Sequence, residues 1–289
     1  MEFTRRLRRL WRHPGFRKLT IVRLLAQSGD GTVQIGMASY LLFNPQTQPN
    51  AWAIAGILAL TQLPFSFVGP LVSVVLDRFP RQRIAVMVDT TRLVLSVVLA
   101  GLIATSHVGG GFQALLMAVL LVMLSLNRFT LAGLTAGLPY TIDDHEYLDA
   151  SSVMPMIGPA GAILGGAIAA GVRLTLDGVL GLDRANGLIF LFAAAMFAGS
   201  VAVAWQIPRL GLGPDATTRR TTLGEVARGL VDGFAHLRSR RPAWLGIRTI
   251  LVQRIGYGLL TVSMILAYRH HFHTDANLDA AMVDMGVWF

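Results

Sequence analysis

Four polar side chains interrupt an apolar stretch near the amino terminus, and their spacing makes them the residues most able to do chemistry. They recur at i, i+4, i+7 and i+11, which places them on one face of a helix: Arg23, Gln27, Asp30 and Gln34. An ionised group near a bilayer centre costs on the order of 3 kcal/mol, so such groups usually face a partner or a watery cavity. We predict that Asp30 lines a translocation path. The alternative for Arg23 is that it extends to the cytoplasmic membrane surface.

The elements that hold this polar stripe are predicted to be membrane-spanning helices. Only 14% of the 289 residues are charged, against roughly 25% in soluble domains, and apolar residues surround the helix axis over long stretches. Lipid cannot hydrogen-bond to the backbone, so spans of this kind form helices. We therefore predict an all-α, polytopic membrane protein with seven spans, at about 19–43, 52–76, 84–106, 112–140, 150–172, 185–207 and 243–268.

The distribution of basic residues predicts how the spans are oriented. Arginines are concentrated before the first span and between the sixth and seventh spans, and cytoplasmic segments carry such an excess. The predicted organisation is a basic cytoplasmic amino terminus (1–18), a six-helix transmembrane bundle (19–207), a cytoplasmic linker (208–242) and a last segment (243–289). That segment holds the seventh span and the candidate start of an eighth.

The linker contains apolar residues at helical spacing opposite arginines: Leu223, Val226, Leu230, Phe234 and Leu237. This pattern predicts an amphipathic helix, which either lies on the membrane surface or is solvated on both sides.

Several classes of function are excluded or disfavoured. The net charge of +9 is spread over helix ends, which indicates contact with membrane lipids and no nucleic-acid binding. The chain has no cysteine, and it contains no nucleophile motif or nucleotide fingerprint, so we predict no enzyme activity, no cofactor and no metal site. The acidic turn at 143–146 is interpreted as solvated. A seven-helix retinal protein is disfavoured because the single lysine, Lys18, precedes the first span.

The loop between the second and third predicted spans carries the most specific motif. It reads SVVLDRFPRQR over residues 73–83, and an Asp-x-x-Arg pair follows at 89–92. This loop resembles the motif Gly-x-Leu-Ala-Asp-Arg-x-Gly-Arg-Arg of the major facilitator superfamily, and its flanks look like the exporter branch. Ser73, Pro80 and Gln82 depart from the usual residues. The resemblance implies a cytoplasmic gate made by Ser73, Asp77, Arg78, Arg81, Arg83, Asp89 and Arg92. The alternative is an ordinary basic cytoplasmic turn.

Two further features follow from the same resemblance. Arg128 in the fourth span resembles an arginine that exporters of the superfamily place there, and we hypothesise that it is the counter-ion that adjusts proton binding by Asp30. The fifth span resembles the glycine-rich antiporter motif through Gly158, Gly161, Gly165 and Gly166, although close helix packing alone would also explain these glycines. Arg254 in the seventh span is a candidate for a second polar face of the path.

The function implied by the resemblance is secondary active transport. We expect proton-coupled export of small amphiphilic solutes by alternating access, in the plasma membrane of a bacterium, with the amino terminus in the cytoplasm. The partners are then membrane lipids, a small-molecule solute and protons. Because members of this superfamily have twelve spans, a carboxy-terminal half or a second copy is needed for a full cavity. The alternative is a non-transporting remnant of an interrupted gene.

Overall fold

All secondary structure in the described part of the chain is helical. The computed structural model describes residues 7–42, 72–104, 110–180, 182–214 and 222–272. The main helices are α1 (Pro14–Leu42), α2 (residues 72–78), α3 (Arg81–Ala104), α4 (Gly110–Gly137), α5 (Tyr147–Leu180), α6 (Leu182–Trp205), α7 (Leu223–Ser239) and α8 (Arg241–Ala267). Two short 3-10 turns, Leu138–Thr141 and Asp144–Glu146, connect α4 to α5. The predicted all-α class is confirmed.

Five of the described helical segments are long and apolar enough to cross a membrane: Arg81–Ala104, Ala114–Thr141, Asp144–Leu176, Arg184–Trp205 and Arg241–Ala267. They correspond to the third to seventh predicted spans. The polytopic membrane character predicted from composition is thereby confirmed.

The first two predicted spans have different outcomes. Helix α1 covers the first predicted span, but it is not among the five segments, because Gln27, Asp30 and Gln34 interrupt its apolar sequence. The second predicted span lies mostly outside the described residues, which include only its end in α2.

The chain divides into two compact units. The first comprises Met1–Met37 and Pro64–Arg220, and the second comprises Ala38–Leu63 and Thr221–Phe289. In the first unit, α3 packs along α6 and also against α4, while α5 packs along α6. One apolar core of this unit gathers side chains from the start of α1, the ends of α4 and α6, and the beginning of α5, among them Phe16, Leu19, Leu134, Val153 and Ile207.

The second unit contains α7 and α8, which pack against each other. Helix α7 begins with a capping box, in which the Thr222 hydroxyl accepts a hydrogen bond from the Glu225 backbone and the Glu225 carboxylate accepts one from the Thr222 backbone. The rings of Phe234 and Trp244 meet edge to face, with centroids 5.8 Å apart. A helix therefore occupies the predicted amphipathic segment.

Candidate functional site

Asp30 lies in the interior of the first unit, where both of its carboxylate oxygens accept hydrogen bonds. Its side chain is 3% exposed. Oδ2 accepts a bond of 3.0 Å from Gln27 Nε2, and Oδ1 accepts a charged bond from Arg92 Nη2. Gln27 Nε2 also donates to Asn127 Oδ1 on α4, at 2.9 Å. The carboxylate of Asp30 is therefore linked to α3 directly and to α4 through Gln27.

The partner of Asp30 on α3 belongs to a second buried ion pair. Arg92 Nη1 donates to Asp89 Oδ1 at 2.9 Å, and both side chains are 0% exposed. Thr130 on α4 donates to the same oxygen at 3.2 Å, while Ser200 on α6 donates to Asp89 Oδ2 at 2.6 Å. The Arg92 guanidinium also lies 4.2 Å from the ring centroid of Phe197, at the distance of a cation–π contact. We call Gln27, Asp30, Asp89, Arg92, Asn127, Thr130 and Ser200 the buried polar network.

The network changes the interpretation of two arginines. Sequence motifs assign Arg92 to the cytoplasmic gate, but the structure makes it the direct ion-pair partner of Asp30. Arg128, the counter-ion expected from the sequence, is half-buried and close enough to Asp30 for the two charges to interact. Sequence reasoning missed the pairing of Asp30 with Arg92, and the only available signal was the i, i+3 spacing of two charged residues inside an apolar span.

The remaining members of the α1 stripe have separate environments. Arg23 is 9% exposed and donates a hydrogen bond of 3.1 Å to the Thr135 hydroxyl on α4. It is therefore packed against a neighbouring helix near the end of α4. Gln34 is exposed. Of the four residues that share a face in sequence, the structure brings Gln27 and Asp30 into one hydrogen-bonded network.

The residues of the predicted gate motif also separate into two groups. Arg81 is buried and donates to the carbonyl oxygens of Ala136, at 2.9 Å, and Leu212, at 3.1 Å. Gln82 is buried and donates to the carbonyl of Ala204 at 3.1 Å. Both residues therefore tie α3 to the ends of neighbouring elements in the same unit. The other residues between 73 and 83 that the motif names are exposed or half-buried: Ser73, Asp77, Arg78 and Arg83.

A cavity of about 390 Å³ lies beside this motif. Its polar lining comes from Ser73, Asp77, Arg81 and Arg128, and its apolar lining includes Leu131 of α4. The cavity therefore connects the gate motif to the arginine that sequence analysis associated with Asp30.

The four glycines of α5 face α1. A Cβ atom at Gly161 would lie 2.8 Å from the carbonyl oxygen of Leu24, and a Cβ atom at Gly165 would overlap the backbone of Ser28. Gly158 lies opposite Arg23 and Gln27, and Gly166 lies opposite Ile35. Thr32 adds a hydrogen bond of 3.0 Å to the Gly165 carbonyl across the interface. The backbones of α1 and α5 therefore approach each other closely, as small residues allow helices to do in membranes.

The acidic turn at 143–146 is not uniformly solvated, which corrects the interpretation from sequence. Glu146 is 4% exposed, and its Oε2 lies 2.6 Å from His13 Nε2. The ligand atoms of His13, Asp143 and Glu146 lie within 4.8 Å of one another, so their chemistry suits a divalent metal ion. The direct contact between His13 and Glu146 accounts for the burial of Glu146 without an ion.

Arg254 belongs to the second unit, where it is exposed on α8. It remains a sequence-based candidate for the solute path.

Comparison with known proteins gives relatives over most of the chain. An uncharacterized MFS-type transporter of Mycobacterium tuberculosis is 33% identical over 265 residues, which cover 89% of this chain and 57% of the relative. A protein of the same description from Mycobacterium bovis gives the same values. An uncharacterized MFS-type transporter of Bacillus subtilis is 22% identical over 230 residues, covering 79% of this chain and 50% of the relative. No protein-family model and no solved structure matches. The chain therefore spans between 50% and 57% of the length of these three curated relatives.

Proposed function

Because this chain belongs to the major facilitator superfamily, we propose that it forms part of a secondary active transporter that exports small amphiphilic solutes in exchange for protons. Transport would proceed by alternating access, in which helical bundles rock around a central site. We place the protein in the bacterial cell membrane with its amino terminus in the cytoplasm, as the distribution of arginine predicts.

The observation that carries this proposal is the burial of Asp30 in the polar network. Burying an acidic side chain between apolar helices costs free energy, and in membrane proteins such groups commonly mark ion or proton pathways. Asp30 accepts two hydrogen bonds and faces one full ion-pair partner. A carboxylate in this position can take up one proton and lose its charge. That change would weaken its attraction to Arg92.

The cavity beside Ser73, Asp77 and Arg128 supports a role for the loop motif as a cytoplasmic gate. Its lining combines an acidic group, basic groups and an apolar wall, which suits a charged contact that forms and breaks. Arg81 and Gln82 would fix the base of this gate through their hydrogen bonds to backbone carbonyls. Asp77 and Arg128 are then the groups that change partners during the cycle.

The proposal is tested in inside-out membrane vesicles that contain the whole protein. An imposed proton gradient should drive uptake of ethidium, a lipophilic cation whose fluorescence reports its concentration. Replacing Asp30 with Asn keeps the shape but cannot bind a proton, so we expect gradient-driven uptake to fall to that of vesicles without the protein. Asp144→Asn is the matched control, because Asp144 is an exposed carboxylate in a turn.

Two results would contradict the proposal. One is gradient-driven uptake that is the same with Asp30→Asn as with the native chain, which would remove Asp30 from coupling. The other is the absence of gradient-driven uptake, in vesicles containing the native chain, for every member of a structurally diverse set of neutral and cationic amphiphiles.

A further inference from the structure

We propose that Asp89 and Arg92 are positioning residues that hold the carboxylate of Asp30 and set the pH at which it takes up a proton. This inference deepens the proposed function and rests on the role given there to Asp30.

The first argument is that one guanidinium serves two carboxylates. Arg92 uses Nη1 for Asp89 and Nη2 for Asp30, so the two acids compete for the same cation. All three side chains are at most 3% exposed. With water excluded, the strength of the contact between Arg92 and Asp30 depends on how much of the guanidinium charge Asp89 already neutralises.

The second argument is that the two carboxylates are held differently. Asp89 accepts hydrogen bonds from Arg92, Thr130 and Ser200. Asp30 accepts bonds from Arg92 and Gln27. The hydroxyl donors on α4 and α6 keep Asp89 in place whether or not Asp30 is charged. Asp89 is therefore the anchored acid, and Asp30 is the acid that can leave Arg92.

The proton step is simple in its chemistry. A hydronium ion transfers a proton to one carboxylate oxygen of Asp30: an O–H bond forms on the carboxyl group as one O–H bond of the hydronium ion breaks, which leaves a water molecule. The neutral carboxyl group no longer attracts Arg92 as an ion, while the pair of Arg92 and Asp89 remains neutral as a whole. The ionic contact between α1 and α3 is then lost, and the contact between α3, α4 and α6 persists.

Within the described residues, the charged groups that act on Asp30 come from two helices. Helix α3 supplies Arg92 and Asp89, and α4 supplies Arg128, whose charge also interacts with Asp30. The two glycines that flank Asp30 face uncharged groups of α5 and α6, at Ala162 and Phe197. Substitutions at positions 89 and 92 should therefore act on Asp30 through charge and not only through packing.

The test measures protonation directly in the purified whole protein, reconstituted in lipid nanodiscs. Infrared difference spectra recorded over a pH series report the C=O band of a protonated carboxyl group. The band that disappears in Asp30→Asn belongs to Asp30. We expect Arg92→Gln to move the midpoint of this band toward alkaline pH by about one to three units, because a nearby cation favours the carboxylate. We expect Asp89→Asn to move it toward acid pH by about one unit, because Arg92 is then available to Asp30 alone.

If Asp89 and Arg92 act on Asp30 through their charges, the two substitutions shift the midpoint in opposite directions. If they only support the structure, the midpoint does not shift, or both substitutions shift it in the same direction. Ser96→Ala is the matched control, because Ser96 lies one turn from Arg92 on α3, is 0% exposed and makes no side-chain hydrogen bond within the described residues. Its midpoint should equal that of the native chain. Arg92→Lys, which keeps the charge but not the fork that reaches two acids, should shift the midpoint less than Arg92→Gln.

Each outcome decides one question. If Arg92→Gln does not fold, Asp89→Asn still decides, since no shift or an alkaline shift overturns the inference. A band of Asp30 that titrates but ignores both substitutions also overturns it, while leaving the proposed function standing. If no band of Asp30 titrates at any pH at which the protein stays folded, the proton-coupled function itself fails.

Discussion

At the scale of the residue, charged side chains are buried in this protein where a specific partner contacts them. A clear case is Glu146, in the turn between α4 and α5, which follows two exposed acids yet is 4% exposed. Its partner, His13, precedes α1 by one residue. A buried carboxylate without a hydrogen-bond donor loses its solvation without compensation. The pair therefore fixes the start of α1 against the turn between α4 and α5.

This contact predicts a difference between two histidines. His13→Ala should lower the free energy of unfolding by about 1–3 kcal/mol, because it leaves Glu146 buried without its nearest donor. His145→Ala is the matched control, since His145 is exposed in the same turn, and it should change stability by less than about 0.5 kcal/mol. Thermal unfolding in detergent measures both. Equal destabilisation by the two substitutions would contradict the structural role of His13.

At the scale of elements, the contact between α1 and α5 depends on the absence of side chains. The glycines of α5 let its backbone approach α1, and the hydroxyl of Thr32 hydrogen-bonds across the gap to Gly165. This contact positions the half of α1 that carries Gln27 and Asp30. Helix packing and the polar network are therefore linked through α1.

Substituting valine for two glycines of the same helix tests this packing. Gly165→Val should destabilise the protein by about 1–3 kcal/mol or prevent its folding, because the added Cβ meets the backbone of Ser28, which cannot move independently. Gly171→Val is the matched control, since a Cβ there meets nothing within 4 Å. Denaturation midpoints in detergent give the comparison. If Gly171→Val proves as damaging as Gly165→Val, helix propensity and not close approach would explain the loss.

At the scale of the whole molecule, the basic segments at the amino terminus and in the linker predict the orientation of the spans. The absence of cysteine makes this orientation easy to test, because every introduced thiol is the only one in the chain. The acidic turn should face the cytoplasm together with α7, and the turn after the third predicted span should face outward.

Three single-cysteine variants give the expected pattern. A membrane-impermeant maleimide added to intact cells should label His107→Cys and should leave Asp144→Cys and His236→Cys unlabelled until the membrane is opened. Position 107 lies outside the described residues, and positions 144 and 236 are exposed. Labelling of His107→Cys and Asp144→Cys from the same side would overturn the predicted orientation, since α4 would then not cross the membrane.

The sequence predicted the helices of this protein better than it predicted the contacts within the candidate site. The third to seventh predicted spans each correspond to a helix whose bounds lie within a few residues of the prediction, except at the end of α5, which continues to Leu180 although the predicted span ends at residue 172. Long apolar runs determine helices because lipid leaves the backbone no other way to satisfy its hydrogen bonds. The family was likewise readable, because the loop motif lies within one continuous stretch of the chain.

The sequence by itself determined that Asp30 is an acid within an apolar helix and that its charge needs a partner or a watery cavity. Only the tertiary structure decided which partner, since residue 92 is 62 positions away along the chain and meets Asp30 through the packing of α1 and α3. The same holds for Glu146, whose partner His13 is 133 positions away. Local spacing fixes which residues share a face of one helix, but contacts between helices depend on how side chains of many residues fit together, and no short pattern encodes that fit.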